Sequence, residues 1–129
     1  QGLPKDHIAG VTILTSMGRE DFRRHYRGES PQQMVAQMAA EAVSRYAYLV
    51  CSATDLESIQ ALDIKKICPG IRPSWYREDD DQQRTATPAD AIRQGADLLV
   101  IGRPLLGAAD IAGAVERTNT EIAQAMSTG

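Results

Sequence analysis

Two loops of this 129-residue chain place an arginine beside glycine and proline, directly after an apolar run. The first loop is Pro69-Gly70-Ile71-Arg72-Pro73, and the second is Gly102-Arg103-Pro104. Arginine presents a planar fork of N–H donors that matches phosphate oxygens, and glycine allows backbone to approach an anion closely. Arg72, Gly102 and Arg103 are therefore candidate phosphate ligands. From this chemistry alone, a phosphate site and a pair of solvated surface charges remain equally open.

The elements that must position these residues follow from short apolar runs that alternate with amphipathic stretches. The predicted strands are Ile8–Leu14, Tyr48–Cys51, Lys66–Cys68 and Leu98–Ile101. Alternation of strands and helices implies a parallel sheet covered by helices, and continuous apolar runs are typical of such buried strands. Ligands of parallel α/β sheets bind beyond the carboxyl ends of the strands, so we expect both loops at one edge of the sheet.

Local start and stop signals predict the helices. Capping boxes are predicted at residues 30–33 and 54–57, and Thr87 and Asp110 are predicted caps. A short helix is expected over Glu20–His25, and Gly95 is suited to end the helix that Thr87 begins. Two helices carry apolar residues at helical spacing. The first set, expected to pack against the sheet, is Met34, Val35, Met38, Ala39, Ala42, Val43 and Tyr46, and the second is Ile111, Val115, Ile122 and Met126.

Composition bounds the function classes. The chain is 43% hydrophobic and 24% charged with a net charge of −3, which is ordinary for a globular protein and disfavours nucleic acid or an anionic membrane as partner. No apolar run approaches the ~20 residues of a membrane helix, and no signal peptide is evident. Cys51 and Cys68 lie in apolar runs, which predicts buried thiols in a reducing cytoplasm and no zinc site. The first residue is Gln1, which is compatible with a processed, truncated or partial chain.

Residues 1–129 contain no linker, so we expect one domain. Four strand–helix units form either a small open α/β sheet or half of a (β/α)₈ barrel of about 250 residues. Length alone leaves both architectures open.

Several motifs resemble the bacterial branch of orotidine 5'-phosphate decarboxylase, in order and over nearly the whole chain. They are residues 11–17 (Val-Thr-Ile-Leu-Thr-Ser-Met), 50–53 (Val-Cys-Ser-Ala), 69–73 (Pro-Gly-Ile-Arg-Pro), 81–82 (Asp-Gln), 87–88 (Thr-Pro) and 95–104, which end in Gly-Arg-Pro. The resemblance implies the C-terminal half of a (β/α)₈ barrel, an α/β fold, with strands five to eight. It also implies a cofactor-independent decarboxylase of pyrimidine biosynthesis that converts orotidylate to UMP and CO₂, with no metal.

By the same resemblance, Thr15 contacts the pyrimidine ring, and Gln82 reaches the phosphate and pyrimidine from a mobile lid at residues 74–84. Gly102 and Arg103 hold the phosphate, and Arg72 lines the same side. Without the resemblance, we would interpret Gln82 as an exposed amide in a loop and Thr15 as a hydroxyl at the end of a strand. Trp75 and Tyr76 lie in the lid, where surface packing is favoured over ligand contact.

The family's catalytic signature, Asp-x-Lys-x-x-Asp, does not occur in these 129 residues. The nearest string begins at Asp63 and Lys65, lacks the final aspartate and precedes a strand, so we interpret it as a solvated turn. The ribose-binding residues of the family's first strands and the aspartate lent by its partner subunit are also missing. The chain alone is therefore expected to be inactive, and its open sheet edges predict a homo-oligomer or association with an N-terminal half.

Two alternatives remain. One is a non-catalytic half-barrel that binds phosphorylated ligands. The other is a related phosphosugar enzyme of the same barrel, such as a keto-gulonate phosphate decarboxylase or a hexulose phosphate synthase. The Leu-Thr-Ser-Met strand end at residues 14–17 and the Asp-Gln pair favour the orotidylate branch.

Overall fold

The computed structural model describes residues 4–14, 17, 19–26, 30–77 and 85–127. Short 3-10 turns cover Lys5–His7 and Ala53–Asp55. The strands are β1 (Ala9–Val11), β2 (Tyr48–Val50), β3 (Lys65–Cys68) and β4 (Leu98–Leu99). The helices are α1 (Arg19–His25), α2 (Pro31–Val43), α3 (Leu56–Ile59), α4 (Pro88–Arg93), α5 (Arg103–Leu106) and α6 (Ile111–Ser127).

The strands form one parallel sheet in the order β1-β2-β3-β4. Leu49 lies at its centre, opposite Gly10 on one side and Lys66 on the other. Parallel neighbours need crossover connections, and helices occupy them between successive strands. The predicted parallel α/β architecture is therefore confirmed.

The core lies between this sheet and its helices. Val35, Ala39 and Ala42 of α2 are buried, and the other residues of its predicted apolar set are half-buried against the same cluster. Leu49 of β2, Leu56 and Ile59 of α3, and Ile71 in the loop after β3 are almost completely buried. The prediction that the α2 residues pack against the sheet is confirmed.

Most of the predicted helix ends are confirmed. The Ser30 hydroxyl accepts from the Gln33 backbone N–H at 3.2 Å, and the Gln33 side chain accepts from the Ser30 N–H at 3.0 Å. The Thr87 hydroxyl accepts from the Asp90 N–H at the start of α4. Gly95 follows α4 with φ +94°, in the left-handed region that glycine tolerates. The carboxylate of Asp110 accepts the Gly113 N–H of α6 at 3.0 Å.

The capping box predicted at residues 54–57 is wrong. Ser52 instead caps the 3-10 turn, its hydroxyl accepting from the Thr54 N–H at 3.3 Å. The helix α3 then starts at Leu56, with Asp55 as a cap residue that makes no side-chain capping bond. The local pattern failed because the chain inserts a tighter turn ahead of the helix, which moves the cap back to a buried serine.

The two edge strands are shorter than predicted. Strand β1 covers three residues of Ile8–Leu14, and β4 covers two of Leu98–Ile101. Among the described residues, strand β1 pairs only with β2, and β4 pairs only with β3, so each edge strand ends where its single partner strand no longer pairs with it. Their apolar side chains remain exposed, at 53% for Val11 and 49% for Val100. Within the described residues, no helix combines the length and apolar character needed to cross a bilayer.

The apolar set predicted on α6 lies on a face that the described residues leave largely open, with Ile122 half-buried. Ile111, Val115 and Met126 are exposed, and the buried positions of the helix are Ala114, Thr118 and Ala125. Small side chains suit those positions because α6 packs closely against α4.

Candidate functional site

Arg72 lies in the loop that leaves the carboxyl end of β3. Gly70 turns the chain there with φ +75°, and Ile71 then pairs with Ala86 across an isolated parallel bridge. The Arg72 backbone N–H donates to the Ala86 carbonyl at 2.9 Å. Its guanidinium donates to the Ile71 carbonyl at 3.0 Å and lies 5.9 Å from the centre of the Tyr76 ring. The half-buried Arg72 side chain is thus held beside an aromatic ring.

Gly102 and Arg103 follow β4, at the same carboxyl-terminal end of the sheet as Arg72. Gly102 caps the short helix α5, and its carbonyl accepts the N–H groups of Leu105 and Leu106, each at 3.0 Å. A Cβ atom built on Gly102 would meet no atom within 4 Å. Arg103 is exposed at the first position of α5. The backbone at Gly102 therefore borders open space next to an arginine.

A cleft of about 350 Å³ joins these loops to the last helix. Its walls come from the loop after β3, from α5 with the loop that follows it, and from α6. They are formed by Trp75, Tyr76, Arg103, Pro104, Gly107, Ala108, Ala109, Asp110 and Arg117. Tyr76 links the two predicted arginines, because its ring lies under the Arg72 guanidinium and also lines the cleft with Arg103.

Two of the predicted site residues, Thr15 and Gln82, lie outside the described residues. The predicted lid is described only over residues 74–77, and the rest of it falls in the same gap as Gln82. The roles assigned to Thr15 and Gln82 stay predictions. Arg72, Gly102 and Arg103 are described and lie at one edge of the sheet.

The structure adds two residues to the site. Trp75 is half-buried, and the guanidinium carbon of Arg117 lies 4.3 Å from the centre of its ring. Trp75 and Tyr76 both line the cleft, and the preference for surface packing over ligand contact stays a prediction. Arg117 was missed because it is an exposed arginine inside a helix, and nothing in the sequence distinguishes it from its charged neighbours.

The cleft has the chemistry of an anion site. Two guanidinium groups and two aromatic rings line it, and among the described lining residues none is a lysine or histidine. Its one lining carboxylate, Asp110, is engaged in capping α6. Among the described residues, no group of three or more His, Cys, Asp or Glu side chains is arranged to hold a metal ion. Guanidinium groups are donors whose geometry suits phosphate oxygens, so the described walls favour an anionic ligand.

Cys51 and Cys68 lie where β2 and β3 end, and both are buried thiols outside any disulfide, as the sequence predicted. A hydrogen bond with Cys51 raises the pKa of the Cys68 thiol far above its ordinary value, and burial and the nearby charges of Asp55 and Asp97 add to the rise. Cys68 is therefore protonated at neutral pH and unsuited to act as a nucleophile.

A parallel sheet that carries phosphate-binding groups after its last two strands is typical of (β/α)₈ barrel enzymes. Residues 2–118 match the family model described as "Orotidine 5'-phosphate decarboxylase / HUMPS family". The chain belongs to that family.

Curated relatives carry the same family name. The chain is 42% identical over 123 residues to the orotidine 5'-phosphate decarboxylase of Pseudomonas fluorescens strain SBW25, covering 93% of this chain and 53% of the relative. It is 39% identical over 125 residues to the same enzyme of Paramagnetospirillum magneticum, covering 94% and 53%. The chain thus spans about half the length of the curated relatives it matches.

Solved structures agree on the fold. The crystal structure of orotidine 5'-phosphate decarboxylase from Lactobacillus acidophilus matches with a TM-score of 0.68 at 26% identity, over 88% of this chain and 48% of that one. An uncharacterized conserved protein from Geobacillus kaustophilus matches with a TM-score of 0.63 at 26% identity, over 87% and 46%. The open four-stranded sheet is the C-terminal half of a (β/α)₈ barrel, as the sequence predicted.

Proposed function

We propose that residues 1–129 form the phosphate-binding half of an orotidine 5'-phosphate decarboxylase that acts in the cytoplasm. The reaction converts orotidylate to UMP and CO₂ in pyrimidine biosynthesis and needs no cofactor. One observation carries this proposal: Tyr76, whose ring lies beside the Arg72 guanidinium, lines a cleft together with Arg103 beyond the carboxyl ends of the strands.

The phosphate of the nucleotide is expected to lie against Gly102 and Arg103. The space beside the Gly102 backbone is open, and the neighbouring Arg103 lines the cleft. Arg72 contributes a second positive charge from the neighbouring loop. Thr15 and Gln82 complete the proposed contacts, with the pyrimidine ring and with both pyrimidine and phosphate, respectively.

Decarboxylation is expected to require residues that these 129 positions do not supply. The family's lysine–aspartate array stabilises the developing carbanion through charge that is already in place before the reaction. Binding the phosphate alone lowers no barrier unless it places the substrate against that array. We therefore propose that the chain by itself binds ligand without turnover.

The open edges of the sheet indicate where the missing half docks. A groove of about 220 Å³ flanks each edge strand. The groove beside β1 is lined by Gly10, Val11, Met38, Glu41, Ala42, Arg45, Tyr46 and Leu49. The groove beside β4 is lined by Leu99, Ile101, Leu105, Val115, Thr118, Asn119 and Ile122. We propose that both receive an N-terminal half-barrel or, in its absence, a second copy of this chain, because unpaired parallel edges favour association.

Isothermal titration calorimetry with UMP and with inorganic phosphate tests the binding proposal. Arg103→Ala should weaken binding about tenfold or more, since a charge-assisted hydrogen bond contributes about 1.5–3 kcal/mol. Arg93→Ala is the matched control, because Arg93 is an exposed arginine paired with Asp90 on α4. It should bind like the wild type. Equal binding by both variants, or no binding by the wild type, would contradict the proposal.

A further inference from the structure

The loop after β3 is fastened to α6 at two consecutive residues. The backbone N–H and the hydroxyl of Ser74 both donate to the same carboxylate oxygen of Glu121, each at 3.0 Å. The next residue, Trp75, lies under the guanidinium of Arg117 at 4.3 Å. Arg117 and Glu121 are four positions apart on α6 and so share one face of the helix. We call these two contacts, Ser74–Glu121 and Trp75–Arg117, the α6 clamp.

The clamp connects directly to the proposed phosphate site. The Tyr76 N–H donates to the Pro73 carbonyl at 2.9 Å and closes a turn around the clamped residues. The Tyr76 ring meets the Trp75 ring edge-on, with centroids 6.4 Å apart at 87°. Its other neighbour is the Arg72 guanidinium. A continuous line of contacts therefore runs from α6 through Trp75 and Tyr76 to Arg72.

The two sides of the clamp differ in how firmly they are held. The helix α6 is capped by Asp110 and packs against α4 with Ala114, Thr118 and Ala125 buried. Residues 74–76 belong to no helix or strand of the described chain. The helix can therefore fix the loop, whereas the loop adds little to the position of the helix.

We infer that Glu121 and Arg117 are positioning residues for the anion site. They hold the loop so that Tyr76 lines the cleft with the Arg72 guanidinium beside its ring, and Arg117 adds a positive charge to the cleft wall. This inference rests on the proposed function, since it assumes that a phosphate monoester binds beside Arg103. Its consequence is that breaking the clamp weakens binding although none of the proposed phosphate ligands is itself substituted.

The measurement combines UMP calorimetry with the fluorescence of the ligand-free protein. Trp75 is the only tryptophan of the chain, so its emission reports on the clamp directly. Glu121→Ala and Arg117→Ala should each raise the Kd for UMP roughly fivefold and shift the Trp75 emission to the red. Glu121→Gln keeps an acceptor oxygen for Ser74 and should restore most of the affinity. Glu116→Ala, an exposed acidic position on the same helix, is the matched control.

Urea unfolding separates positioning from general destabilisation. Glu121→Ala and Arg117→Ala should both remain folded in the absence of urea, so a difference between their UMP affinity and that of Glu116→Ala belongs to the site. Wild-type affinity in both alanine variants, or an unchanged Trp75 emission in both, would overturn the inference and leave the proposed function intact. Wild-type protein that binds no UMP would instead overturn the proposed function, and the role of the clamp with it.

Discussion

The buried thiol of Cys68 should make the protein less stable as the pH rises above 9. Cys68 is 0% exposed, and its hydrogen bond with Cys51 raises its pKa far above the ordinary value of 9.0. In the folded chain the thiol therefore stays protonated, whereas in the unfolded chain it ionises above pH 9. The unfolded state then binds fewer protons than the folded state, so the free energy of unfolding falls with rising pH.

The size of the effect follows from the same linkage. Between pH 8 and pH 10, ionisation of one thiol in the unfolded state alone removes about 1.4 kcal/mol from the free energy of unfolding. Urea unfolding of the wild type and of Cys68→Ala at pH 8, 9 and 10 measures it, because the variant lacks the Cys68 thiol in both the folded and the unfolded state. The variant is expected to be less stable at pH 8, owing to its cavity, but to lose about 1.4 kcal/mol less than the wild type by pH 10. Parallel losses in the two proteins would refute the assignment of a protonated Cys68 to the folded state.

Three further predictions concern glycines, a cap and a sheet edge. Gly95→Ala should lower the free energy of unfolding by about 1 kcal/mol in urea, because Gly95 has a positive φ. Gly102 has φ −99° and open space around it, so Gly102→Ala should leave the free energy of unfolding unchanged. The same variant should weaken UMP binding about fivefold in calorimetry. Equal UMP affinity in Gly102→Ala would place the anion elsewhere. Ser30→Ala should cost about 1 kcal/mol in urea unfolding through loss of the capping box, with Ser127→Ala at the exposed end of α6 as the near-neutral control. Val100→Lys, at an edge position that is 49% exposed, should leave the urea midpoint unchanged but abolish association in native mass spectrometry; association that persists would exclude this edge as the interface.

Features set by neighbouring residues were predictable from the sequence. The cap at Ser30 and the turn at Gly95 depend on a few adjacent positions, and both were predicted correctly. The same local reasoning failed at residues 54–57, where Ser52 caps the 3-10 turn instead of Thr54 capping a helix, and Asp55 is buried. A capping pattern identifies residues able to cap, but burial in the folded chain decides which one does.

Some residues of the candidate site were likewise predictable from the sequence, and others were not. Arg72 and Arg103 were placed at one edge because strand order in a parallel sheet brings their loops together. The contribution of α6 was not predictable, because Ser74 and Glu121 are 47 residues apart in the sequence and neither belongs to a recognisable motif. The exposure of Val115 on α6 likewise has no local signal, and it is consistent with a surface that the other half of a barrel covers.

We propose that this chain supplies the phosphate-binding half of a decarboxylase whose lysine–aspartate array lies outside these 129 residues. The most direct test of this proposal is the decarboxylation of orotidylate, measured for this chain alone, for the N-terminal half of the Pseudomonas fluorescens relative alone, and for the two mixed. We predict turnover only in the mixture, with its loss when Arg103→Ala replaces the wild-type chain. Turnover by this chain alone would contradict the account, because the array would then have to lie within these 129 residues.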